Sequence, residues 1–379
     1  MYFAKAFVVT HIVYRKSDPY DALEGPYSSV CNGLTSAGLY VDTVQLPLEN
    51  YDRPILIGKW KKEKKLRIPA FLGKIAPIKY VIDTLIVFYL TWNYLSKNKK
   101  NKVVYIGIDP LSTLALVALR KFMLFELAFY AVDFNQNRFK NKVMQFLYEK
   151  ADELASTQSH YVWAVCEGLV DYKKKYLHVD ADYIPNSNQY DSRLYRKGQS
   201  KRTGNKMCWT GSCITPRQFT ILFTVLEKIQ KIRPSMEFHF APVGNHEAFE
   251  ENCRKFKLKK WKVYHLHSRR EWQEFATTCD VGIAVYDDKF GSTKFIEPLK
   301  IWDFLLCGLP FIISCEPSLG KAIKQSGAAY LLKPHNKIPN DNSLKKFLDK
   351  KNLESLQKTC LQLAKEFDIT VQMKKSLKG

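Results

Sequence analysis

Acidic side chains are scarce: 37 Asp and Glu stand against 59 Lys and Arg, a formal net charge of +22. That imbalance suits a polyanionic partner, whether nucleic acid, an anionic membrane face or a phosphorylated substrate. The signatures of nucleic-acid binding are missing. There is no zinc-ligand spacing, no RNP motif and no KH-type GXXG loop, so no nucleic-acid partner is expected. The nine cysteines (31, 166, 208, 213, 253, 279, 307, 315 and 360) form no CxxC pair, and their number is odd. This pattern fits reduced, buried thiols in a cytoplasmic compartment better than a disulfide framework. The eight histidines are scattered, so no metal site is expected. The start, MYFAKAFVVTHIVY, lacks the features of a cleavable leader and reads as a first strand. No apolar run reaches the ~20 residues of a membrane span. The nearest, 80–95 (YVIDTLIVFYLTWNYL), contains Asp83 and reads as a buried or interfacial helix. Internal repeats and low-complexity tracts are also lacking.

What is present is an ordinary globular composition, 46% hydrophobic and 25% charged, over 379 residues. That length predicts two domains of roughly 150–200 residues each. Strand-length apolar runs at 6–14, 41–46, 103–107, 128–132, 154–157 and 182–184 alternate with helical patterns at 27–37, 80–95, 111–120, 140–150 and 160–172. Such alternation predicts a parallel sheet covered by helices. A polar stretch, 186–205, reads as a linker. A second series follows, with strands at 206–209, 237–240, 262–265, 281–285, 311–314 and 329–331 and helices between them. The expected boundaries are 1–190, 191–342 and a helical tail, 343–379, able to pack back on the first domain. Ligands of such sheets bind at the carboxyl ends of the strands, beside helix N-termini.

One stretch carries chemistry. A strand, VGIAVY, runs out at Asp287 and Asp288, and a loop with Gly291, Ser292 and Thr293 follows. Then Glu297-Pro298-Leu299-Lys300 opens the helix IWDFLLC, which Gly308 and Pro310 end. Lys300 and Asp303 are three residues apart and share a face. Spacing alone leaves two readings: an ordinary helix start with a solvated lysine, or a nucleotide-sugar site with Lys at the phosphates and a carboxylate on the ribose.

This stretch resembles the P-x-K-x-x-E-Y-x-x-x-G-x-P-V signature of family 4-like (group 1) GT-B glycosyltransferases of cell-surface polysaccharide assembly. Here it reads Pro298, Lys300, Asp303, Phe304, Gly308, Pro310, Phe311. MCWTGSCITPRQF (207–219) is similar to the family's strand followed by G-R-L-x-x-x-K-G, with Gly211 kept, Ser212 for the arginine and Arg217 for the lysine. EFHFAPVG, EWQEFATTCDVGIAVY and YIPNS resemble further family segments, so the likeness covers most of 182–331. It is thinner in the N-terminal half, through VYIGIDPLSTLALVAL, FYAVDFNQNRF and ADELASTQSHYVWAV.

The resemblance implies two Rossmann-like, doubly wound α/β domains facing a central cleft. It implies transfer of a sugar from a UDP- or GDP-linked donor to a saccharide or lipid-linked acceptor, with no bound cofactor or metal. The donor would be held by Gly211, Ser212, Arg217, Glu297, Lys300 and Asp303. Asp133 and His11, at strand ends, are the catalytic candidates, and Arg138 is the candidate for acceptor contact; Asp109 and Glu24 are weaker. The basic cluster 59–67 ahead of the 80–95 helix suggests an anionic membrane surface as a further partner, on the cytoplasmic face. Two departures keep a second reading open, that of a non-catalytic nucleotide- or glycan-binding protein on the same scaffold. Phe295 stands eight residues before Asp303, where many members carry Glu, and Ser212 replaces an arginine. A dehydrogenase is disfavoured, because YRKSDPYDALEG follows the first strand where G-x-G-x-x-G would be required.

Overall fold

The computed structural model describes residues 2–14, 25–98, 102–132, 134–211, 215–244, 246–287, 295–315 and 317–378. The chain divides into two units, Met1–Gln189 with Ile369–Gly379, and Tyr190–Asp368.

The first unit runs β1 (Lys5–Ile12), α1 (Pro26–Ser36), β2 (Tyr40–Pro47), β3 (Ile55–Lys59), β4 (Lys62–Leu66), α2 (Ala76–Lys97), β5 (Val103–Ile108), α3 (Pro110–Arg120), β6 (Glu126–Ala131), α4 (Lys142–Thr157), β7 (Tyr161–Ala164), α5 (Glu167–Tyr172) and β8 (Asp182–Tyr183). Its sheet has the order β4-β3-β2-β1-β5-β6-β7-β8. All neighbours are parallel except β2–β3 and β3–β4. Every residue of β5 (VVYIGI) is buried, as expected of a parallel strand covered on both faces. Phe7, Val9, Val44, Tyr105, Val87 and Leu116 share one core beneath α2 and α3.

Two expectations are corrected here, and one element was not foreseen. Residues 154–157, read as a strand, are the last turn of α4. Tyr148, Ala151, Asp152, Ala155 and Ser156 form its buried stripe, and the charge on Asp152 hides that period in the sequence. Asp152 is neutralised by the buried Lys173, whose Nζ lies 3.1 Å from both carboxylate oxygens. Residues 160–172, read as one helix, are β7 followed by α5. The basic run 59–67 contains a hairpin: β3 pairs Lys59 with Lys62 of β4 across Trp60 and Lys61, and Lys61 takes φ 66° in the turn. Its lysines keep β4, an edge strand, from pairing further.

The second unit contains α6 (Ser192–Gly198), β9 (Lys206–Gly211), α7 (Pro216–Ile232), β10 (Glu237–Pro242), α8 (His246–Lys255), β11 (Trp261–Val263), α9 (Arg269–Ala276), β12 (Val281–Ala284), α10 (Leu299–Leu306), β13 (Phe311–Ile313), α11 (Lys321–Ser326), β14 (Ala329–Leu331), α12 (Asp341–Phe347) and α13 (Lys350–Glu366). The sheet order is β11-β10-β9-β12-β13-β14, with every pair parallel. Side chains alternate between two cores: Met207 and Trp209 of β9 face one, Cys208 the other. The stretch 186–205, expected as a linker, folds α6, and its Leu194 is completely buried.

The last helix, α14 (Ile369–Ser376), belongs to the first unit and packs on α1. Among the described residues, no helix is long and apolar enough to cross a membrane. The described cysteines are unbridged, and all but Cys315 are buried.

In each sheet the strand order reverses about the first strand of its unit. β1 lies between β2 and β5, and β9 between β10 and β12. Those two carboxyl ends are the switch points at which open α/β sheets bind ligands.

Candidate functional site

In the second unit, β9 ends on Gly211 with φ 114°, a conformation that side-chain-bearing residues rarely adopt. A Cβ built there would lie 2.9 Å from Lys300 Nζ. Lys300, in the first turn of α10, reaches back to β9. Its Nζ donates to the Thr210 carbonyl at 2.7 Å and sits 5.0 Å from the Trp209 ring centre and 5.5 Å from that of Tyr286. A lysine ammonium and a backbone stripped of side chain therefore meet at the switch point, an arrangement suited to an anion.

The start of α7 adds to this edge. Thr215 caps the helix by accepting from Gln218 N at 3.1 Å and donates to Asp287 Oδ2 at 3.3 Å. Arg217 Nε forms an ion pair with Asp287 Oδ1 at 3.0 Å. Asp287, which the sequence marked only as the strand's end, thus ties β12 to α7. Ser212, Asp288, Gly291, Ser292 and Thr293 lie outside the described residues.

The expected carboxylates are placed differently. Glu297 is buried; its Oε2 accepts from Trp302 Nε1 at 2.9 Å and its Oε1 from Gly320 N at 3.3 Å. Asp303 is 4% exposed. It accepts from Arg269 Nε at 3.1 Å and Nη2 at 2.9 Å and from Gln273 Nε2 at 2.8 Å, all on α9. Lys300 and Asp303 share a helix face but engage different elements. His246, the first residue of α8, and His265, just past β11, stack with ring centres 3.8 Å apart, a contact that their separation in sequence concealed.

The first unit carries a charge cluster at its own switch point. His11, near the end of β1, is held from both sides. Nδ1 lies 3.0 Å from Asp109 Oδ2, and Nε2 lies 3.2 Å from Asp83 Oδ2. Asp83 on α2 also accepts from Lys79 Nζ at 2.5 Å and from the Tyr51 hydroxyl at 2.6 Å. Asp109 takes φ 83°, ψ 154°, a strained region for any residue but glycine. Its carboxylate holds it there by capping α3 through Ser112 N at 2.8 Å and by accepting the His11 backbone N–H at 3.1 Å.

Burial by itself pushes the imidazole pKa down. The Asp109 and Asp83 carboxylates outweigh it and raise the value to about 9. Burial likewise opposes ionisation of Asp83 and Asp109, but His11 holds both below the usual carboxylate range, helped by Lys79 at Asp83. At neutral pH the cluster is two cations facing two anions. The sequence marked His11 and, more weakly, Asp109. It hid Asp83 and Lys79 because they stand within the apolar run that forms α2.

Asp133 and Glu24 lie outside the described residues. Arg138 is exposed, with its guanidinium 5.2 Å from the Tyr148 ring centre. Among the described residues, no group of three or more His, Cys, Asp or Glu side chains is placed to hold a metal ion.

No protein-family profile matches the sequence, and no curated protein matches it either. Solved structures do. A sucrose-phosphate synthase (tll1590) from Thermosynechococcus elongatus superposes with TM-score 0.65 at 14% identity, over 98% of each chain. Anabaena Alr3699/HepE, in complex with UDP, gives 0.61 at 12% identity, over 98% of this chain and 99% of the other. The chain has the GT-B fold. WaaG, a glycosyltransferase involved in lipopolysaccharide biosynthesis, shares this fold with TM-score 0.53 at 11% identity, over 96% of this chain and 95% of its own. In GT-B terms, β9, β12 and α10 frame the switch point of the C-terminal Rossmann-like unit, and His11 and Asp109 mark that of the N-terminal one.

Proposed function

We propose that this chain is a glycosyltransferase that moves a sugar from a nucleoside-diphosphate donor to a saccharide or lipid-linked acceptor in cell-surface glycoconjugate assembly. The observation that carries the reading is Lys300 reaching the end of β9 beside Gly211. The UDP-bound HepE structure on the same fold supports a nucleoside diphosphate as the ligand class.

In the transfer, an acceptor hydroxyl oxygen bonds to the anomeric carbon, the carbon–oxygen bond to the diphosphate breaks, and the hydroxyl proton is lost. Charge builds on the departing diphosphate. Lys300 and the starts of α7 and α10 are the groups that offset it, with Arg217 and Ser212 as further donors. This chemistry requires no resident metal. Asp133 is the residue proposed to take the acceptor proton or to stabilise the positive charge on the sugar. Arg138 is proposed to bind an acceptor phosphate. His11 already carries a proton at neutral pH, so its proposed role is a fixed positive charge that orders the strand end, not a base.

The test is a thermal-shift panel of UDP- and GDP-sugars, with hits followed by calorimetry and product analysis. Lys300→Ala should weaken UDP or GDP binding at least ~tenfold, in line with a lost charge-assisted phosphate contact. Unchanged affinity sinks the donor-site assignment. One observation favours the alternative, a non-catalytic nucleotide or glycan binder: Glu297 and Asp303, the expected donor carboxylates, are both buried and bonded within their own unit. Transfer above background, abolished by Asp133→Asn, excludes that alternative.

A further inference from the structure

Helix α2 is built inside out. Its charged residues before the last turn are Lys79 and Asp83, and both are buried. Its outer face carries Ile78, Val81, Leu85, Tyr89 and Trp92, spaced three or four residues apart. Val81, Leu85 and Tyr89 are 60–65% exposed. The burial of Asp83 and Lys79 is explained by the His11 cluster, but among the described residues nothing in the unit covers the opposite face.

The apolar surface extends beyond the helix. α3 packs on α2 and is followed by Lys121-Phe122-Met123-Leu124. Phe122 meets Phe88 edge-to-face at 6.4 Å, and Phe88 stacks on Trp92 at 6.2 Å. Leu124 is fully exposed. Contiguous exposed apolar surface of this kind marks an interaction site.

Charge identifies what covers it. Between Trp60 and Phe125 the only acidic residues are Glu63, Asp83 and Asp109. The last two face His11, and Glu63 accepts from Gln45 and from the Lys61 backbone. Lys61, Lys62 and Lys64 of the β3–β4 hairpin, Lys74 before α2, Lys97 at its end and Lys121 beside Phe122 are all exposed. A second copy docking face to face would bring like charges together in a chain of net charge +22. An anionic bilayer attracts the lysines and also accepts the apolar stripe, with Trp and Tyr at the headgroup boundary.

We propose that the outer face of α2, with the 121–124 loop, is a docking surface for an anionic lipid bilayer, on which the helix lies flat. The inference does not rest on the reaction proposed above. The test is flotation of the full chain with vesicles of phosphatidylcholine alone and of phosphatidylcholine mixed with phosphatidylglycerol. The chain should float with the mixed vesicles and much less with the zwitterionic ones. Val81→Glu with Leu85→Glu should cut the bound fraction at least ~tenfold, by placing two charges in the buried face of an interfacial helix, while melting temperature stays unchanged. Lys61→Glu with Lys62→Glu and Lys64→Glu should lower binding to the mixed vesicles alone. Three results would overturn the proposal. They are no flotation with either vesicle, flotation indifferent to the Val81/Leu85 pair, or a dimer by light scattering that this pair dissociates without any lipid binding.

Discussion

Asp109 accepts two hydrogen bonds from His11 on one carboxylate oxygen, from the backbone N–H at 3.1 Å and from ring Nδ1 at 3.0 Å. The same residue caps α3 through its other oxygen. A single side chain thus joins the end of β1 to the start of α3 and, together with Asp83, favours the protonated form of His11.

The cluster makes stability depend on pH in a defined direction. The folded pKa of His11, about 9, lies above its ordinary value of 6.5. Its contribution is therefore complete below pH 6.5 and is lost as pH rises through 9. The Asp83 and Asp109 contributions have the opposite sense: complete above the ordinary carboxylate range, lost as pH falls through their lowered values. Melting temperature should decline between pH 6.5 and 9.5 by an amount equivalent to ~3 kcal/mol, and His11→Gln should flatten that decline. An NMR titration that places the His11 ring at or below its ordinary pKa would refute the clamp.

Asp303→Ala should destabilise the second unit as well as change donor affinity. The Asp303 side chain is 6% exposed and that of Arg269 16%, so truncation leaves a guanidinium largely buried without its carboxylate. A loss of ~3 kcal/mol is expected from urea unfolding. An unchanged midpoint would show that the pair contributes nothing to stability and free Asp303 for a role at the donor alone.

Gly211→Ala tests the close approach at the end of β9. The φ of 114° strains any Cβ-bearing residue, and the added methyl would crowd Lys300 Nζ at 2.9 Å. A stability loss of ~1–3 kcal/mol should accompany weaker nucleotide binding. If calorimetry shows full affinity in a folded variant, Lys300 does not act from the position it holds here.

Gly33→Val probes the return of the chain to its first unit. A Cβ at 33 would stand 2.9 Å from Ile369 Cγ1 and 3.2 Å from the Ile369 carbonyl oxygen. Overpacking of this size costs ~1–3 kcal/mol. Undocking should also let trypsin cleave α14 after the already exposed Lys374 and Lys375 in a limited digest; equal resistance in variant and parent would rule out α14 docking through Gly33.

Much of the architecture is readable along the chain, because parallel strands buried on both faces are continuous apolar runs. VVYIGI, VGIA and FII are such runs, and each is a strand. The expectations that failed did so where a charge or a short length masked the period. Asp152 interrupts the stripe of α4 until Lys173 is seen beside it. YVWA is too short to separate from the helix after it, and KEKKL carries no apolar alternation to reveal an edge strand.

The site divides in the same way. Sequence by itself determined that Gly211 stands where a strand ends, that Lys300 stands in the first turn of a helix and that His11 lies toward the end of the first strand, since these depend on local pattern and turn chemistry. Only the tertiary structure decided their partners. Lys300 is 90 residues from the Thr210 carbonyl it meets, Asp303 is 34 from Arg269, and His11 is 72 and 98 from its two carboxylates. Contacts of that span are set by which strands lie side by side and which helix faces turn inward. The same packing that drew Asp83 and Lys79 inside left the apolar side of α2 exposed, a reversal that the sequence of a helix rich in both could not assign to one face or the other.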